Sequence, residues 1–421
     1  MLIHHTFAPH VDGRYLLRAI HILLQPWKWR SGTAREEFRA ALSRQFQAET
    51  ALFASGREGL VALFRSLGGT AGDEIIVQAY TCVVVPNAIT AAGYIPVYAD
   101  VDRDTLSMDC GDVERKITPR TRAVLCQHTF GIPADTERLR AICDRHRLLL
   151  IEDCAHIIPD SRGPASIGTH GDAILLSFGR DKAISGITGG AILSRIPELS
   201  VKIRKEEDAT QSLGIIHIKR LLLYPIVYAV ARPLYGLGIG KALLVLARWI
   251  GALVPILSRA EKSGRMASTL HKLPNACAAL ALASLKDLQR INDHRRSLTA
   301  FYLEEGQKRG WFIPRSAEHE GGPLLAGVTP DLPLQKFPLF MKNADGIRAA
   351  LKKRNIHLND GWTGCIICPE GVDMNEAHYT PGSDPEAEAA CEKILALPTH
   401  PTMTLGQAHS LIETLSPMRG M

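Results

Sequence analysis

Leu148-Leu-Leu-Ile-Glu-Asp153-Cys-Ala-His156 and, a little further on, Ala173-Ile-Leu-Leu-Ser-Phe-Gly-Arg-Asp-Lys182 decide how this chain reads. Each opens with a short apolar run and closes on charged residues. Runs of that length suit strands buried on both faces, as in a parallel sheet. Asp153 then stands at the carboxyl end of one strand and Lys182 just beyond the next. A carboxylate and an amine so placed are what a pyridoxal-phosphate (PLP) site needs. The amine holds the aldehyde as a Schiff base, and the acid keeps the ring nitrogen protonated. Taken singly, Lys182 could be a surface lysine and Asp153 a helix cap. Their place after two apolar runs, and ahead of Gly189-Gly190, argues against both.

Working outward, short β-rich runs alternate with helical stretches: Glu74–Val77, Ile95–Ala99, Ala123–Cys126, Leu148–Ile151, Ala173–Phe178 and Ala191–Leu193. Such alternation predicts an α/β domain with a mostly parallel sheet flanked by helices. Ligands of these sheets bind beyond the carboxyl ends of the strands. Arg35–Phe46 has helical spacing, and Ser55-Gly56-Arg57 reads as a turn opening another helix, whose first N–H groups suit a phosphate. Ser177 would add a hydroxyl there.

After Arg195 the character changes. From Ala209 to Ala260 there is no Asp or Glu, only Lys219, Arg220, Arg232, Lys241, Arg248 and Arg259 among apolar runs. Those runs fall short of the ~20 residues that a spanning helix needs. Two readings stay open: a helical insertion buried in a subunit interface, or helices lying in an anionic membrane surface. From Leu273 the pattern is regular again, with an amphipathic helix over Ala276–Ile291. A smaller α+β region follows, with a strand at Lys336–Phe340 and a helix at 344–354. The expected organisation is an N-terminal arm (1–34), a large PLP-binding domain (35–208), the hydrophobic basic insertion (209–260), a connecting helix region (261–291) and a small C-terminal domain (292–421).

Composition sets bounds on these readings. The 421 residues, 46% hydrophobic and 22% charged, are ample for a core. A net charge of +6 without a basic, aromatic-interleaved stripe offers nothing for nucleic acid. Nine scattered cysteines suit a reducing cytoplasm, and Cys365-Ile-Ile-Cys368 lacks the second pair a zinc site would want. No metal is expected. The run Ile20–Leu24 is too short for a signal peptide, so a cytoplasmic protein is expected.

Further stretches carry a resemblance: Gly72–Val77, Pro96-Val-Tyr-Ala-Asp-Val-Asp102, Ile117-Thr-Pro-Arg-Thr121, His128-Thr-Phe-Gly-Ile-Pro-Ala-Asp135, Ile151–His156, Ser177-Phe178, Lys182, Gly189-Gly190, Tyr379, Gly382, Pro385, Glu388 and Leu397-Pro-Thr-His-Pro401. In this order, over about residues 35–195 and 270–415, the chain resembles the DegT/DnrJ/EryC1/StrS sugar aminotransferases, which have the aspartate-aminotransferase (type I PLP) fold. The resemblance implies Lys182 at the Schiff base, Asp153 at the ring nitrogen, phosphate contacts from Gly56 and Ser177, and His156 near the cofactor. It implies His128 on the substrate side and a homodimer with a shared site. The implied reaction moves an amino group from an amino acid, L-glutamate the expected donor, to a keto-sugar on a nucleotide or a lipid.

Three departures stand out. Arg57 replaces a small hydroxyl residue; it would either grip the phosphate or turn away to pair with Glu58. Cys82 falls where relatives stack an aromatic on the cofactor, a task Tyr80 could take over. Leu270 and Lys272 replace the Asn and Arg that reach the neighbouring subunit. A sugar dehydratase of the same fold would carry histidine in place of Lys182, and a PLP-fold protein without turnover would have lost Lys182 or Asp153.

Overall fold

The computed structural model describes residues 2–266, 269–311 and 327–418. Its centre is a nine-stranded sheet. In chain order the strands are β1 (Glu49–Phe53), β2 (Glu74–Gln78), β3 (Ile95–Ala99), β4 (Thr121–Gln127), β5 (Leu149–Asp153), β6 (Ala173–Ser177), β7 (Gly190–Ser194), β8 (Gln211–Ser212) and β9 (His271–Lys272). They lie in the order β8-β9-β1-β7-β6-β5-β4-β2-β3. Strands β3, β2, β4, β5 and β6 are mutually parallel, while β7 runs antiparallel to both β6 and β1. The six apolar runs expected to be strands are all in this sheet. Strands β2 and β7 are buried throughout, as continuous apolar runs should be when both faces are covered.

Helices cover the two faces. Ala34–Phe46 presents Phe38, Leu42 and Phe46 at four-residue spacing, and the Phe38 ring meets Phe178 edge-on at 4.8 Å. Ser55 caps Gly56–Ser66 by accepting the Glu58 N–H at 3.3 Å. The region expected to be one helix ending at Ile291 is instead two, Asn275–Lys286 and Leu288–Lys308. The second runs through the anticipated boundary at 291. Asn292, Arg295 and Arg296, polar residues just past that boundary, are buried there with partners: Arg296 forks onto Asp160, and Asn292 donates to the Ile158 carbonyl.

The smaller C-terminal region is built on an antiparallel pair, Lys336–Phe340 with Ile394–Pro398. The N-terminus joins it, since Ile3–His4 pairs in parallel with Ile356–His357. The segment that follows crosses back to the large sheet. Cys365 and Cys368 are buried thiols, and burial raises both pKa values, Cys365 to about 11.

The insertion folds into two helices, Ile215–Ala231 and Ile239–Trp249. The first buries Ile218, Leu221, Leu222, Tyr224 and Tyr228 inside its own chain, in one cluster with Tyr15 and Ala19 of the helix Gly13–Leu23. Among the described residues, no helix is long and apolar enough to cross a membrane.

Candidate active site

Strand alternation sets the chemistry of β5. Asp153 and Ile151 share one face; Glu152 and Leu150 share the other. Asp153 is buried, at the carboxyl end of β5, beside the end of β6. Burial pushes its carboxyl above the ordinary range, opposed by the Ala155 N–H at 2.9 Å and by the nearby Lys182. A buried acid with one backbone donor has room for a further cationic N–H partner, which a protonated pyridine nitrogen is.

Lys182 sits on the loop after β6, and its backbone is fixed from two sides. Its carbonyl lies 2.7 Å from His10 Nε2, in the N-terminal segment, and accepts from the buried Arg295 at 3.1 Å. Arg295 also donates to the Ala183 carbonyl at 2.8 Å. Burial pushes the Asp181 carboxyl up, but the ammonium groups of Lys182 and Lys336 outweigh it and hold Asp181 below its usual value.

The end expected to take the phosphate is shaped by glycine. A Cβ on Gly56 would stand 3.3 Å from Ser177 Cβ, and one on Gly190 would stand 2.4 Å from Gly56 Cα and N. The first turn of Gly56–Ser66 is thus pressed against the ends of β6 and β7, with Ser177 beside it. The first N–H groups of a helix have no intrahelical carbonyl and favour an anion. Gly56, Ser177, Asp153 and Lys182 therefore gather at one end of the sheet, and the residue types fit PLP at phosphate, ring nitrogen and aldehyde.

The remaining expectations fare differently. His156 is in the cluster: its Nδ1 accepts the Phe130 N–H at 3.1 Å, and its ring lies nearly parallel to Phe130 and edge-on to Trp362. Burial drives its pKa well down, helped by Lys182 and Lys336, so it is a neutral ring. Cys82, on the short strand Thr81–Cys82, is partly exposed. Burial raises its thiol, against the pull of Lys182 and Arg57.

Tyr80 does not take over the stacking. Its fully buried ring packs edge-on against Phe130 and Trp362, and its hydroxyl donates to the Trp362 carbonyl at 2.9 Å. His128 is not on the substrate side either. It is wholly buried on the opposite face, 3.0 Å from Glu152, and it accepts the Ala134 N–H. Glu152 also takes the N–H groups of Gly168, His170 and Gly171, so the pair ties loops together.

Arg57 does not pair with Glu58, which instead accepts the His271 N–H at 2.7 Å. The Arg57 guanidinium holds the Ile256 carbonyl, from the end of the insertion, and Glu261, just past it. Leu270 is buried in the chain's own core, and Lys272 pairs with Phe53 at the sheet edge.

Outside the expected site residues, the fold buries a second lysine. Lys336, 2% exposed, lies 3.0 Å from Asp360, and His5 approaches the same carboxyl at 3.9 Å. Its one visible signal is a lysine opening an otherwise apolar strand. His5 and His10 come from the N-terminal segment, whose distance in sequence hides their role. Burial lowers His10 to about 3 and His5 to about 4, from 6.5.

Unfolded histidines bind protons that these two refuse, so the unfolded state gains on acidification. Stability from them is full above about pH 6.5 and is lost as pH falls toward 4. The thermal midpoint should hold level above pH 7 and decline below it. His10→Asn should make that decline shallower by on the order of 5 °C in calorimetry.

Comparison with known proteins decides the family. Residues 13–217 and 256–416 match the model of the DegT/DnrJ/EryC1/StrS aminotransferase family, leaving out most of the insertion. The chain belongs to that family. It is 34% identical over 192 residues to GDP-perosamine synthase of Vibrio cholerae, a stretch covering 45% of this chain and 52% of that protein. The aligned stretch thus spans about half the length of that curated relative.

DesV of S. venezuelae superposes with a TM-score of 0.68 at 25% identity, covering 96% of this chain and 94% of that one. PseC of Helicobacter pylori, an aminotransferase involved in the biosynthesis of pseudoaminic acid, gives 0.71 at 18%, with 99% of each chain covered. The fold is therefore the type I PLP fold, and the cofactor of the family is PLP.

Proposed function

We propose that the protein is a PLP-dependent aminotransferase that takes its amino group from L-glutamate and delivers it to a keto-sugar carried on a nucleotide. The observation that carries this reading is the gathering of Lys182, Asp153 and the Gly56–Ser177 anion cradle at the carboxyl ends of β5 and β6. The family supports it, and so does the relative named for a GDP-linked sugar product. A further structural relative, DesI, was crystallised with its TDP-sugar product. The working unit is proposed to be a homodimer, the closed two-fold assembly commonest among soluble proteins.

Bound PLP supplies an electron sink that makes the donor's Cα–H acidic. Lys182 Nζ, on a backbone pinned by His10 and Arg295, is the base that takes the proton from that Cα and returns one to the product side. Asp153 stays ionised against a cationic ring nitrogen. His156 adds a neutral ring to the same wall, held in orientation by the Phe130 N–H.

The test is a half-reaction without acceptor. The PLP-loaded protein should convert L-glutamate to 2-oxoglutarate in one equivalent per site, with loss of the cofactor's visible band. Failure with both glutamate and glutamine would overturn the donor assignment.

A further inference from the structure

The insertion leaves a surface that the aminotransferase chemistry does not use. Large apolar side chains standing in solvent are concentrated in residues 209–260. In the helix Ile239–Trp249, Gly240, Leu244 and Ala247 are buried, while Ile239, Val245, Leu246 and Trp249 are exposed, and Ile250 continues the row. Val245, Leu246, Trp249 and Ile250 recur at three- and four-residue intervals, and Ile239 stands seven residues before Leu246 on the same side, so the five form one stripe. Val245 is 65% exposed, Trp249 84% and Ile250 62%. A monomeric soluble surface rarely shows such a run.

Charge decides between the possible occupants. Lys241 and Arg248, both exposed, flank the stripe, and the whole of 209–260 lacks an acid. The adjoining N-terminal helix adds exposed Leu17 and Leu24, followed by Trp27, with exposed Arg14, Lys28 and Arg30 and a single acid, Asp12, before Ala34. A two-fold contact would set this surface against itself, cation facing cation with no carboxylate in between. A bilayer with anionic headgroups offers an apolar layer for the stripe and negative charge for its flanks. A helix of 11 residues is about 16 Å long, too short to cross but long enough to lie in the headgroup boundary. Trp249 at its end is the amphipathic ring that membrane interfaces favour.

We infer that the Ile239–Ile250 face docks the protein peripherally on an anionic lipid bilayer. The attachment reaches the catalytic domain through real contacts. Arg180, two residues before Lys182, lies 4.2 Å over the Tyr224 ring and donates to the Val254 carbonyl at 2.8 Å, and Arg57 holds Glu261. A docked insertion therefore sets the distance between the active site and the membrane.

The experiment is vesicle flotation of the full chain loaded with PLP, using phosphatidylcholine with or without phosphatidylglycerol. The protein should float with the anionic vesicles and stay behind with the neutral ones. Trp249→Ser/Ile250→Ser should cut the floated fraction at least about tenfold. Lys241→Glu/Arg248→Glu should do the same, through charge rather than apolar contact. All four side chains face solvent, so circular dichroism and PLP absorbance should be unchanged in both variants. A wild-type protein that remains soluble with anionic vesicles overturns the inference, as does flotation indifferent to both variants. If the apolar pair instead converts a dimer to a monomer in light scattering and leaves flotation untouched, the face belongs to a second copy. None of these outcomes depends on aminotransfer.

Discussion

Lys182→Ala should abolish the visible absorbance of covalently held PLP and lower the glutamate half-reaction by about 10⁴-fold. Two independent functions are proposed for the one amine: holding the aldehyde and carrying the Cα proton. Truncation removes both while leaving the loop in place. The backbone of residue 182 is held through its carbonyl by His10 and Arg295, and neither contact uses the side chain. PLP should still bind, through phosphate and ring, but reversibly, with its free-aldehyde spectrum. Lys336 cannot take over, because it is buried and committed to Asp360 at 3.0 Å. Absorbance, dialysis against buffer and single-turnover 2-oxoglutarate release measure the three effects separately. A variant that keeps the covalent band after dialysis would place the Schiff base on another amine.

Gly190→Ala is expected to be the most damaging small substitution near the cofactor. Its Cβ would come 2.4 Å from both Cα and N of Gly56, a backbone neighbour that cannot swing aside. The first turn of Gly56–Ser66 would have to lift off β7, and with it the N–H groups proposed to face the phosphate. Backbone overpacking of this kind costs about 3 kcal/mol, which corresponds to about 100-fold in PLP affinity if it falls on the cradle. A fluorescence titration with PLP reads that affinity, and a thermal melt of the PLP-free protein shows how much of the cost is spent on the fold. Gly214→Ala is the matched control, since a Cβ there meets nothing within 4 Å. Equal PLP affinity in both variants would show that this turn does not carry the phosphate.

Much of the framework was legible because it rests on local pattern. The apolar runs within 74–77, 123–126, 148–151 and 173–178 are strands: short, nearly continuous apolar runs suit a sheet covered on both faces. Asp153 and Lys182 could be placed from the ends of those runs, whereas the close approach of Gly190 onto Gly56 emerged only in the fold. The acid-free character of 209–260 was also plain from composition, but it left both an interface and a membrane surface open for the insertion.

What the sequence could not resolve were questions of direction and of long-range company. His128 and Glu152 carry the polar types of a catalytic site, yet strand alternation turns Glu152 away from Asp153, and His128 joins it on the far face. Tyr80 has the right ring in the right neighbourhood, but the Trp362 carbonyl claims its hydroxyl, and Phe130 and Trp362 enclose it. Arg57 is drawn to Glu261, more than two hundred positions later in the chain. The grip on Lys182 comes from His10 and Arg295, and the Lys336–Asp360 pair with His5 arises only when the N-terminal segment crosses the small domain. Burial periodicity is written into neighbouring residues and so determines strands, helices and the ends where a ligand binds. Which polar side chain meets which is set by how distant segments pack, and only the tertiary structure decides that.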